Sequence, residues 1–107
     1  YVTGFIPYDE NYIDKNLQVI KNINLNSHGV RRLGAASLDM CHVAKGIVEG
    51  FWEYNLQPWD TAAGNIIISE AGGFVSNENG NHYNFDKCIV ASNKKVHKDF
   101  LKIIKES

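Results

Sequence analysis

The chain has 107 residues, 44% of them hydrophobic and 21% charged, a balance that belongs to folded globular proteins and gives no compositional case for disorder. Its formal net charge of -1 removes any global electrostatic bias toward nucleic acid or an anionic membrane, so charge chemistry has to be local. At this length one hydrophobic core is expected, and residues 1–107 are read as a single domain.

Tyr1 to Phe5 reads as a strand running into a turn before Pro7, and without an initiator Met the chain is expected to be a piece of something longer. Asp9 to Ile23 places Ile13, Leu17 and Ile20 at helical spacing, which predicts an amphipathic helix. Turn formers fill Asn24 to Gly29, and Val30 to Leu33 reads as a short strand ending at Gly34. Ser37 to Lys45 predicts a short, mostly buried helix stopped by Gly46. The branched and aromatic run Ile47 to Tyr54 predicts a strand covered on both faces, with Glu49 and Glu53 on the side of Ile47 and Phe51.

Gln57-Pro58 interrupts that strand. Thr61 to Ala71 then predicts a helix of small residues ended by Gly72-Gly73. Phe74 to Ser76 and Asn81 to Phe85 read as a hairpin around Asn77-Glu78-Asn79-Gly80. Lys87 to Ser92 predicts a buried strand, and Asn93 caps a last helix with Val96, Phe100, Ile103 and Ile104 on its apolar face. Strands and helices therefore mix, with the crossovers that build a largely parallel sheet covered by helices, an α/β class.

Cys41 and Cys88 show no ligand spacing and are read as free thiols. No apolar run reaches the roughly 20 residues needed to cross a bilayer, so no membrane partner is expected and a cytoplasmic location follows. His28, His42, His82 and His97 show no paired spacing and are read as non-ligands. Lys94, Lys95 and Lys98 are read as solvated charge, which makes a nucleic-acid partner unlikely in view of the near-neutral charge. Arg31 and Arg32 either guide an anion or pair with acids, and pairing or solvent is favoured.

The densest signal is Trp59-Asp60-Thr61-Ala62-Ala63-Gly64-Asn65 through Glu70-Ala71-Gly72-Gly73, a carboxylate at the start of a tightly packable helix. Two readings stand for Asp60. It accepts hydrogen bonds from first-turn amides, or it faces outward and binds a hard cation while the helix N-terminus favours a nearby phosphate. In the second case a metal must lie between the carboxylate and the phosphate, and Asp60 alone is too few ligands for a metal centre. Glu53, seven residues upstream, is either an exposed strand glutamate or an acceptor for sugar or cyclitol hydroxyls.

These residues resemble the C-terminal signature of the inositol monophosphatase family, in the form of a bacterial-type inositol-1-monophosphatase. The likeness extends through Gly34-Ala35-Ala36, Leu38-Asp39-Met40, Gly50-Phe51-Trp52-Glu53, Gly73-Phe74-Val75 and Ile89-Val90-Ala91-Ser92-Asn93, nearly the whole chain. The resemblance implies the C-terminal half of a layered α-β-α-β-α sugar-phosphatase fold, with a mostly parallel sheet between helices. It implies Asp60 as a ligand of Mg2+ at the metal that stabilises the leaving ester oxygen. Glu53 would bind substrate hydroxyls, and Gly34, Ala35 and Ala36 would line the substrate ring through backbone groups. Ala35 stands where many relatives carry Thr or Ser, which removes a hydroxyl contact.

The family's other signature, resembling Asp-Pro-Ile-Asp-Gly-Thr, is absent from these 107 residues. It supplies most metal ligands and the threonine that orients the attacking water, and by the resemblance it lies upstream of Tyr1 with a further glutamate. The expectation is therefore the C-terminal half of a magnesium-dependent phosphomonoesterase for inositol monophosphate or a similar polyol phosphate, inactive without its N-terminal half. The alternatives are a related sugar bisphosphate or 3'-nucleotide phosphatase, or a binding or assembly module without catalysis. The face left uncovered is expected to drive homo-oligomer formation, a dimer by the resemblance.

Overall fold

A computed structural model describes residues 1–4 and 10–107. The predicted turn through Phe5 and Pro7 and the predicted helix start at Asp9 lie outside the described residues. The elements are β1 (Val2–Thr3), α1 (Ile13–Leu25), β2 (Arg31–Arg32), α2 (Ala36–Lys45), β3 (Gly50–Tyr54), α3 (Pro58–Glu70), β4 (Phe74–Ser76), β5 (Cys88–Ser92) and α4 (His97–Lys105).

The five strands form one sheet in the order β2-β1-β3-β5-β4. Strand β1 pairs parallel with both β2 and β3, whereas β5 runs antiparallel to both β3 and β4. The α/β class holds, and the sheet is mixed rather than mostly parallel. The physical cause lies in the stretch before β5. Asn77 Oδ1 accepts the amides of Asn79 at 2.9 Å and Asn81 at 3.0 Å and so closes a turn. The chain then returns through Tyr83, whose hydroxyl lies 3.3 Å from Thr61 Oγ1 on α3. Only an isolated Ser76↔His82 bridge remains of the predicted hairpin, and β4 pairs with β5 instead.

Side chains of β3 alternate between two cores, as the period of a strand requires. Phe51 joins Val2, Met40, Ile68, Ile89 and Ala91 under α2 and α3. Trp52 and Tyr54 join Val19, Ile23, Val90, Phe100 and Ile104 under α1 and α4. Helix α2 lies close to α3 because Gly64 has no side chain: a Cβ there would come within 2.6 Å of Met40 Sδ.

Two helix faces differ from expectation. In α1 the buried residues are Asn16, Val19 and Ile23, while Leu17 is exposed. Asn16 turns inward because its Oδ1 accepts the Trp52 indole N–H at 2.6 Å. In α4 the buried set is His97, Phe100 and Ile104. His97 is tolerated inside because both ring nitrogens are met, Nε2 by Ser76 Oγ at 2.8 Å and Nδ1 by Ser92 Oγ at 2.6 Å. Asn93 does not cap α4, whose cap position is Val96 without a side-chain hydrogen bond; the Asn93 Oδ1 instead accepts the amides of Lys95 and Val96 and closes the turn ahead of the helix. No described helix is long and apolar enough to cross a membrane.

Candidate functional site

Strand β3 emerges from the sheet at Tyr54, and its neighbours α2 and α3 begin on the same side of the molecule. A cavity of about 350 Å³ opens there, and Gly34, Ala35, Ala36, Glu53 and Asp60 all line it. The sequence thus disperses over 27 positions a set of residues that the fold gathers on one wall. Gly4, Arg32, Ser37, Asp39, Leu56 and Trp59 complete the lining.

Local geometry explains each position. Gly34 has φ +92°, a left-handed conformation that favours glycine, and it turns the chain from β2 into α2. Ala35 is extended and Ala36 opens α2, so the first turn of that helix forms part of the wall. Helix α3 begins at Pro58, three residues earlier than expected, because proline suits the first helical position. Asp60 is therefore the third residue of the helix, and its Oδ2 accepts the Gln57 amide at 3.0 Å. Gln57, not Asp60, is the cap, and the bond Asp60 accepts comes from the cap residue's amide and not from first-turn amides; that role coexists with its place on the cavity wall. Two helix N-termini, with their partial positive charge, meet a group of carboxylates in this cavity.

Glu53 is buried at the centre of the sheet, not exposed on an edge strand. Burial raises its carboxyl from 4.5 to about 7, the charges of Asp39 and Asp60 add to the rise, and Arg32 opposes it. A group near that value exchanges a proton close to neutrality, so the cavity holds a carboxyl able to donate or accept a hydrogen bond.

Asp39 is the charged lining group to which sequence reasoning gave no role, and Arg32, read from sequence as guiding an anion or pairing with acids, stands on the same wall. Asp39 is buried in α2 with its Oδ1 unpartnered, and burial raises its carboxyl, opposed by His42. Its position between Leu38 and Met40 in a helix expected to be mostly buried was the available signal, since a buried acid demands a partner, although the structure buries only Asp39, Met40 and Val43 of α2 and leaves Leu38 exposed. Arg32, exposed on the edge strand β2, puts its charge at the cavity next to the acids.

Among the described residues no three His, Cys, Asp or Glu side chains are grouped to hold a metal ion. The cavity carboxylates suit magnesium to the extent of one or two oxygen ligands, the number it takes when substrate oxygens and water complete its shell. Cys41 and Cys88 are free thiols, and Cys88 is buried away from the cavity beneath Tyr54.

Residues 3–107 match the inositol monophosphatase family. The chain is 45% identical over 104 residues to the chloroplastic phosphatase IMPL1 of Arabidopsis thaliana, covering 96% of this chain and 28% of that protein. It is 48% identical over 103 residues to SuhB of Neisseria meningitidis serogroup B, named a putative Nus factor, covering 95% of this chain and 40% of that one. The crystal structure of extragenic suppressor protein SuhB from Bartonella henselae superposes with a TM-score of 0.89 at 36% identity, covering 99% of this chain and 41% of its own. The chain thus spans between 28% and 41% of the length of these relatives. The match over nearly every residue, together with that superposition, shows that the chain belongs to the inositol monophosphatase family.

Proposed function

We propose that residues 1–107 form the substrate-recognition half of a magnesium-dependent phosphomonoesterase acting on inositol monophosphate or a similar polyol phosphate. The observation that carries this reading is the convergence of Gly34, Ala35, Ala36, Glu53 and Asp60 on one cavity at the N-termini of two helices. In the proposed arrangement the backbone of Gly34 to Ala36 borders the substrate ring. Glu53 binds its hydroxyls, and Asp60 is one ligand of the magnesium ion. The ion, when bound, supplies Lewis-acid stabilisation of charge on the leaving oxygen. The helix N-termini favour the anionic phosphate end.

In this reading the remaining metal ligands and the group that orients water lie outside residues 1–107, and the chain alone is inactive. Longer relatives support this, as does the small number of carboxylates grouped at the cavity. The proposed setting is the cytoplasm, and the proposed assembly is a homo-oligomer. The test is turnover of a substrate panel by the full-length protein with magnesium, including inositol monophosphates, sugar bisphosphates and 3'-phosphorylated nucleotides. Turnover that depends on Glu53 and Asp60 supports the reading, and failure to hydrolyse every phosphomonoester removes it.

A second reading, an assembly module without catalysis, is favoured by the Nus factor name carried by several relatives. The same panel separates the two.

A further inference from the structure

Lys98, Lys102 and Lys105 recur about one turn apart along α4, and Lys94 precedes them. All four are exposed and line a groove of about 630 Å³ where α4 meets Phe74 of the edge strand β4. No residue lines both this groove and the cavity around Glu53. Its apolar floor is Phe74, 49% exposed, with Leu101 beside it. A smaller cavity of about 240 Å³ shares Phe74 and His97 and continues past Val75 and Ser76, so the depression is elongated.

We propose that this groove docks an extended acidic peptide segment, with carboxylates on the lysines and an apolar side chain against Phe74 and Leu101. Charge complementarity selects an acidic occupant, since four lysines face two acids, Asp99 and Glu106. Those two acids then separate a peptide from a nucleic acid. A peptide presents backbone N–H donors to them, whereas a phosphodiester backbone presents acceptors and negative charge.

The aromatic ring points the same way. Lys94 Nζ lies over the Phe74 ring at 5.7 Å from its centre, and the His97 ring packs against it in a T-shaped contact. The ring therefore offers apolar surface to a side chain, not two free faces to a stacking base. Spacing agrees as well. Alternate side chains of an extended peptide repeat at about 6.8 Å, close to the roughly 6 Å that an α-helix advances over the four residues from Lys98 to Lys102.

The experiment is fluorescence anisotropy of a labelled octapeptide of alternating glutamate and leucine, titrated with the protein at low salt. Saturable binding that weakens with added salt is expected, with affinity lowered about tenfold or more by the double substitution Lys98→Glu and Lys102→Glu. Both positions are exposed, and circular dichroism checks that the variant is folded. A peptide of alternating glutamine and leucine, expected to bind at least about tenfold more weakly, tests the charge without altering the protein. Absence of saturable binding, equal affinity in the double variant, or tighter binding of an octauridylate than of the acidic peptide overturns the proposal.

Discussion

Gly4 lies directly against the Glu53 carboxylate: a Cβ at Gly4 would overlap Glu53 Oε1 and stand 3.0 Å from its carboxyl carbon. The end of β1 thus determines where the buried acid of β3 can sit. Asn16 braces the same corner from the other face, accepting the indole N–H of Trp52, the residue next to Glu53. A cavity residue on one strand is therefore positioned by a missing side chain on its neighbour.

Gly4→Ala is expected to push Glu53 off its place on the cavity wall or to strain β1 against β3. Overpacking of this kind costs about 1–3 kcal/mol. Chemical denaturation of the variant measures that loss. In the full-length protein the same substitution is expected to lower kcat/KM for a polyol phosphate, by about tenfold for each 1.4 kcal/mol of lost transition-state binding. Unchanged stability and unchanged kinetics together would contradict the contact.

Asp60 is expected to separate into two roles by substitution. Asp60→Ala removes the acceptor for the Gln57 amide and should destabilise the chain by about 1 kcal/mol. Asp60→Asn keeps an oxygen acceptor and should cost little stability, yet it removes the charge proposed for magnesium. Isothermal titration of the full-length Asn variant with magnesium, set beside its melting curve, is the check. Retained metal affinity in that variant would leave Asp60 as the acceptor of the Gln57 amide alone.

Glu53 predicts a pH dependence of definite sign. Its carboxyl rises from 4.5 in the unfolded chain to about 7 in the fold, chiefly through burial. Between those values the folded state binds more protons than the unfolded state, so stability falls as the pH rises through the window. The displacement corresponds to about 3 kcal/mol above the upper value. Glu53→Gln, which cannot ionise, is expected to flatten this part of the profile, read from denaturant titrations between pH 4 and 8. A Gln variant with the same slope as the parent would assign the titration to another group.

Self-association is expected through α2 and α3, which pack on each other and carry exposed Leu38, Trp59 and Ile66. Trp59 is 78% exposed, a large apolar surface to leave in water. Light scattering of residues 1–107 should report a species larger than a monomer, and Trp59→Ser should shift it toward one. A strictly monomeric chain at high concentration would contradict this.

Local order along the chain determined much of the result. Gly46 in a left-handed conformation ends α2, Gly72 does the same after α3, and Asn93 closes the turn before α4, each through interactions within a few residues. The place of Asp60 near a helix start was legible for a related reason, whereas local pattern left Glu53 as either an exposed strand glutamate or a hydroxyl acceptor.

Tertiary structure alone decided which strand pairs with β5, that Asn16 and His97 turn inward, and that Asp39 and Arg32 reach the cavity. Each of these rests on partners distant in sequence. Asn16 meets Trp52 36 residues away, and His97 meets Ser76 21 residues away. Asn16 and His97 go inside because a partner replaces the water each loses, and that replacement is arranged by the fold, not by the chain's local periodicity. The same holds for the titration of Glu53: its residue type is written in the sequence, but its desolvation and its neighbours Asp39, Asp60 and Arg32 exist only once the chain is folded.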